Sequence, residues 1–263
     1  MSRNVYALGL ALVLSAPLSA PGATQTPAVR VEGMAPEYAG GCRVVSGGLV
    51  LTFLPAQYNG VFDVVSKNER LLWWGKVGFV KAPWEAFAAW TSRFGGVTDA
   101  EGGGKTVLLE HRLSKEKAAL LVTERITVRP PGQGERVVVD VVAKAETKAD
   151  LADTSFQWWM SKTVYSGMAF SVMDPSGKER QHLIPITKGD EQPFSGSARS
   201  LTLTTANSQV FTVKVAEPAA GALLGITDNF PRDYTLGVQL FGNRSLEPGG
   251  ELRYRLEITD LRG

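Results

Sequence analysis

Cysteine is almost missing from this chain. Cys42 is the only one in 263 residues, so no disulfide can close within it, and stability must come from the burial of a large core. Histidine is nearly as scarce, with His111 and His182 alone. One cysteine and two histidines leave a zinc centre short of its usual ligands, and neither a metal nor another cofactor is expected. An excess of one charge is also lacking. The 28 basic and 26 acidic residues leave a formal net charge of +2, and they are mixed along the sequence. No basic face stands out, so nucleic acid is not an expected partner. Beyond the N-terminal leader no apolar run reaches the roughly 20 residues that a membrane-spanning helix takes, and no integral membrane segment is expected in the mature chain.

Several chemical motifs are missing as well. Gly102-Gly103-Gly104-Lys105-Thr106 ends like a phosphate-binding loop, but position 99 is aspartate where the opening glycine belongs. A strand pattern also follows it, where a helix is required, so the segment reads as a turn. There is no nucleophile elbow and no paired-histidine metal motif. The alternating long helices of a parallel sheet are absent too.

What is present begins with a leader. Arg3 supplies a positive start, Val5 to Ala16 is apolar, and small residues follow through Ala23. This is the pattern of a cleavable signal peptide over residues 1–23, and it implies a secreted or periplasmic protein. Residues 24–39 are polar, proline-containing and aperiodic, a linker or extended lead-in. Residues 40–263 then read as one β domain.

Within that domain, short segments rich in Val, Leu, Thr and aromatics alternate with Gly, Pro, Asn and Asp. The clearest run over Arg43–Pro55, Val61–Val65, Thr106–Leu113, Ala118–Arg129, Arg136–Ala145, Ser155–Met160, Tyr234–Phe241 and Glu251–Leu261. Such spacing predicts an all-β fold, a large antiparallel sandwich. One helix is expected near 83–94. Pro83 stands where it would start and Gly95-Gly96 where it would stop, and Trp84, Phe87, Trp90 and Phe94 recur at helical spacing. That helix would cover a sheet.

Two groups of residues could carry chemistry. His111 shares an alternating face with Val107, Leu109 and Leu113; Glu124 shares one with Leu120, Val122, Ile126 and Val128. If a hairpin through Ser114–Lys117 joins the two strands, both side chains line the same sheet face. They form either an acid/base pair in a site or a buried pair in the core. The second group is aromatic. Trp73-Trp74 and Trp158-Trp159 are adjacent pairs on expected strands, so alternation should send one member of each inward and one outward. An outward tryptophan is a flat apolar platform suited to the C–H face of a sugar ring, and Trp84 and Trp90 could add to it. Gln157, Lys162 and Lys76 lie close by in sequence and could donate hydrogen bonds. Asp174, Asp228 and Asp233 fall in turn-like sequence and are expected to bond local backbone.

The run Gly47-Gly48-Leu49-Val50-Leu51-Thr52-Phe53-Leu54-Pro55, then Asn59-Gly60-Val61-Phe62-Asp63-Val64-Val65 and Arg70-Leu71-Leu72-Trp73-Trp74, resembles the opening of galactose-mutarotase-like domains. The close from Leu246-Glu247-Pro248-Gly249-Gly250 through Ile258 resembles the turn and final strand of the same group. The resemblance implies an antiparallel supersandwich and a carbohydrate partner. The epimerases of that group use two histidines and a carboxylate, one histidine following an asparagine. Here Glu110 precedes His111 and Gln181 precedes His182, so their catalytic set does not carry over. The expected function is glycan binding by an exported protein. The alternatives are a glycan-active enzyme (hydrolase, lyase or epimerase) using Glu124 and His111, or a structural envelope protein.

Overall fold

A computed structural model of the chain describes residues 29–33, 40–54, 61–81, 85–87, 89–186, 193–218, 222–228 and 230–262. The expected signal peptide and Trp84 lie outside these residues. The described chain is all-β, with twenty strands in two antiparallel sheets. No helix among the described residues is long and apolar enough to cross a membrane.

The larger sheet contains β1 (Arg30–Gly33), β2 (Cys42–Ser46), β3 (Leu49–Phe53), β4 (Phe62–Ser66), β5 (Glu69–Lys81), β11 (Ala149–Ser161), β18 (Asp233–Phe241), β17 (Ala222–Thr227) and β14 (Phe194–Ala198), in that spatial order. Two short strands attach to it, β6 (Glu85–Ala86) on β5 and β19 (Arg244–Leu246) on β11. The second sheet runs β13 (Glu179–Leu183), β12 (Ala169–Met173), β15 (Ser200–Thr204), β16 (Val210–Glu217), β20 (Glu251–Arg262), β10 (Glu135–Ala145), β9 (Ala118–Val128), β8 (Gly104–Lys115) and β7 (Ala89–Ala100).

Alternation decides what each face does. On β9, Ala118, Leu120, Val122, Glu124, Ile126 and Val128 are buried while the intervening residues are more exposed. On β11, Phe156, Trp158 and Met160 turn inward, and Asp153, Gln157 and Trp159 turn out. The inward faces meet in one apolar cluster. Phe53, Phe62, Phe156 and Trp158 of the larger sheet contribute to it, as do Leu109, Leu120, Ile126 and Leu256 of the second. Cys42 is in this core, and burial pushes its thiol up to about 11, so it behaves as a small apolar side chain.

The expected helix near 83–94 is not formed among the described residues. Its described part is strand: β6, then β7, whose register pairs Ala89–Ala100 with Gly104–Ser114 of β8. Helical spacing of a few aromatics was outweighed by backbone pairing to β8, whose edge would otherwise be bare. Gly95-Gly96 is a break in that pairing, a bulge between Phe94 and Gly96, and not a helix stop. An α-helical turn, α1 (Lys162–Tyr165), links β11 to β12. Tyr165 is buried there and donates its hydroxyl to the Leu71 carbonyl at 2.8 Å.

Candidate functional site on the open face of the larger sheet

The outward faces of β5, β11, β18, β17 and β14 form a trough. One transverse row is set by register: Lys76 opposes Gln157, Gln157 opposes Gly237, Gly237 opposes Gly225, and Gly225 opposes Ser195. Its centre therefore consists of two glycines with no side chain to fill the space. A β-carbon added at Gly237 would meet nothing within 4 Å. Above this floor lies a cavity of about 510 Å³, lined among others by Lys76, Asp153, Gln157, Trp159, Phe230 and Gln239. A second cavity of about 310 Å³ shares Lys76, Asp153, Ser155 and Gln157 with it and extends to Trp74 and Phe87.

One end of the trough is aromatic. The Trp74 and Trp159 rings are nearly parallel, 5.9 Å apart at 22°, and Phe230 lies 4.9 Å from Trp159. Trp73 packs edge-on against Trp159 at 4.7 Å, with Arg70 over its own ring at 5.5 Å. Trp73 and Trp74 thus reach the same side of the sheet, contrary to the simple alternation expected of them. A β-bulge explains this. Phe62 pairs with Gly75 and Val64 with Leu72, so the two tryptophans together oppose Asp63 alone. Trp74 takes up the extra residue with φ 56°, in the left-handed region, and its N–H donates to Asp63 Oδ1 at 3.0 Å. A tryptophan in that region costs about 1–2 kcal/mol, a strain tolerated where surrounding contacts hold it.

The other pair behaves as alternation requires. Trp159 faces the trough, and Trp158 is fully buried beside Phe156 and Phe62. Trp158 fits only because residue 75 is glycine; a β-carbon there would lie 2.5 Å from its indole nitrogen. With no solvent-facing surface, Trp158 leaves the set of sugar platforms. Trp90 belongs by its backbone to β7 in the opposite sheet, where it pairs with Leu113, apart from the Trp74–Trp159 group.

The structure brings His111 and Glu124 together, but inside the sandwich. His111 Nε2 lies 2.8 Å from Glu124 Oε1, and Ser92 Oγ lies 2.8 Å from His111 Nδ1. The side chains of His111 and Glu124 are 1% and 3% exposed, and neither lines the cavities of the trough. Of the two alternatives, the geometry is that of an internal pair, because a ligand on the open face cannot touch it. The expectation of local bonding holds for Asp174, which accepts from the Ser176 and Lys178 amides. Asp228 instead pairs with Lys162 on α1, which ties down the segment carrying Phe230. Lys162 is thereby engaged away from the trough.

Sequence patterning did not single out Asp153, Gln239, Phe230 or the glycine floor. A signal existed for the first: Asp153, Ser155, Gln157 and Trp159 are spaced by two and oppose the greasy Phe156, Trp158 and Met160. Burial raises the Asp153 carboxyl above its ordinary range, with a bond from the Gln239 side chain and one from the Thr154 backbone partly opposing this. Asp153 Oδ1 and Thr235 Oγ1 have no hydrogen-bond partner among the described residues. Burial also lowers the Lys76 ammonium below its usual range. The trough thus combines an aromatic wall, a bare floor and polar side chains. No cluster of potential metal ligands is found among the described residues.

The fold is similar to that of galactose mutarotase-like proteins. Among solved structures, the chain is similar to a galactose mutarotase-like protein from Clostridium acetobutylicum, with a TM-score of 0.55 and 9% identity over 88% of this chain and 98% of that one. It is similar to a galactose mutarotase-like protein from Lactobacillus casei ATCC 334, with a TM-score of 0.51 and 11% identity over 84% and 99% of the two chains. The 4-alpha-glucanotransferase of Thermococcus litoralis matches 90% of this chain with 42% of its own length, at a TM-score of 0.55 and 9% identity. At these identities the likeness establishes the fold. No protein-family model matches the sequence. No curated protein matches it either.

Proposed function

We propose that this is an exported glycan-binding protein whose ligand lies on the open face of the larger sheet. The observation that carries the reading is the pairing of the Trp74–Trp159–Phe230 wall with the Gly237–Gly225 floor. Sugar rings offer a flat C–H face and a rim of hydroxyls. The wall suits the first, and Gln157, Gln239, Asp153 and Lys76 suit the second. The carbohydrate-related names of the structural neighbours support the same class of ligand. Export rests on the leader over residues 1–23, and sequencing the N-terminus of the mature protein tests it.

Glycan-array screening followed by calorimetry tests the binding. Gly237→Leu fills the open floor, and Trp159→Ala removes the wall. Each is expected to weaken binding at least tenfold, with Gly237→Leu keeping the parental melting temperature within a few degrees. Unchanged affinity in both variants defeats the assignment of the site.

A second reading, a glycan-active enzyme, is favoured by one observation: a carboxyl shifted up and an ammonium shifted down line the same cavity. It requires a released or epimerised product, and loss of that product in Asp153→Asn.

A further inference from the structure

Three cavities share lining residues from the aromatic end of the open face to the β14 edge. The one reaching Trp74 and Phe87 shares four residues with the central one. The central one shares Ser195 with a third, of about 520 Å³, which wraps the β14 edge and is lined by Arg180, His182, Phe194 and Ser197. The row from Lys76 to Ser195 crosses five strands, and four inter-strand gaps at the usual spacing make about 19 Å before the third cavity begins. This length exceeds what a single pyranose ring can occupy.

The lining changes across the strands. Trp74 on β5 and Trp159 on β11, with Phe230 against Trp159, are apolar at one end, and Gln157 and Asp153 share β11 with Trp159. Gln239 on β18 is polar, and Leu223 on β17, 46% exposed, is apolar beyond it. At the far end Phe194 lies tilted against His182 with ring centroids 5.2 Å apart, beside the exposed Arg180. The middle of the path has its two glycines in register, so nothing rises from the floor to stop a chain passing.

We infer that the trough binds an unbranched oligosaccharide laid across the strands, several rings long, running from the tryptophan wall to the Arg180–His182 edge. The inference rests on the carbohydrate reading of the open face and adds to it the length and direction of the ligand. A monosaccharide would contact one segment only. A chain would set its C–H faces and hydroxyl rims against these apolar and polar surfaces, and each further ring would add contact area until the edge is reached.

The test is a set of calorimetric titrations of the folded chain with malto-, cello-, xylo- and chito-oligosaccharide ladders, from mono- to hexasaccharide. For a series that binds, affinity is expected to rise at least tenfold from the disaccharide to the hexasaccharide. Ser197→Trp obstructs only the far cavity, and Arg180→Ala removes its exposed cation. Both are expected to abolish most of that rise and to leave disaccharide affinity within twofold of the parent. Gly237→Leu should weaken short and long ligands alike. A series that binds with the same affinity at every length overturns the extended-chain inference and leaves carbohydrate binding standing. So does a length-dependent rise that survives in both far-end variants. Failure of every ladder to bind overturns both.

Discussion

Asp153 shows how a single residue in the trough can be costly to the fold. Its carboxyl is raised by burial, so the folded protein holds that proton more tightly than the unfolded chain does. The ionised form therefore opposes folding at neutral pH. The opposition fades as pH falls through the raised value and is gone below the ordinary carboxylate range. Asp153→Asn keeps an acceptor for Gln239 and removes the charge. Thermal melts should show this variant more stable than the parent near neutrality, with the difference shrinking in acid. A difference independent of pH would mean that the carboxylate is not under this penalty. A stability gain accompanied by weaker ligand binding would mark Asp153 as a group held for function. Trp158 illustrates the opposite case. It is wholly enclosed and stabilises by packing, and nothing in its sequence environment distinguished it from Trp159 except the parity of its position.

At the scale of the element, the bulge on β5 is what builds the wall. Two tryptophans in sequence would ordinarily face opposite ways; one inserted residue puts both on the trough side. Asp63 latches it by accepting the Trp74 N–H, and Arg70 lies 3.5 Å from the same carboxylate while covering Trp73. Asp63→Ala takes away the acceptor and leaves a part-buried amide without its partner, a cost of about 1–3 kcal/mol. The near-parallel Trp74–Trp159 pair should loosen with it. The expected readout is a weaker near-ultraviolet circular dichroism signal together with reduced glycan affinity. Asp63→Asn retains an oxygen at the same position and should stay close to the parent in both measurements. Equal signals from all three proteins would show that the bulge holds itself without the latch.

At the scale of the whole molecule, the two sheets divide the work. The space between them holds the apolar cluster and the Ser92–His111–Glu124 chain of contacts; the outer face of the larger sheet holds the trough. Glu124→Ala should therefore act on stability and not on recognition. It strands a buried imidazole nitrogen, for a loss of about 1–3 kcal/mol or more by chemical denaturation. Affinity measured well below the melting temperature should be unchanged. A large drop in affinity in a folded Glu124→Ala protein would instead tie the internal pair to the ligand.

The alternation of apolar and polar residues along each segment determined that this chain is an antiparallel sandwich, and it placed His111 and Glu124 on one face and Trp158 opposite Trp159. Those are consequences of a two-residue period, which is a local property. Only the tertiary structure decided that the face shared by His111 and Glu124 is the sealed one. It alone made an edge strand of the segment from Ala89, and it alone put Trp73 and Trp74 on the same side. Each of these depends on which strand lies alongside and in what register. The trough has the same origin. Lys76, Gln157, Gly237, Gly225 and Ser195 come from five separate strands, and it is inter-strand hydrogen bonding, which no local pattern encodes, that lines them up.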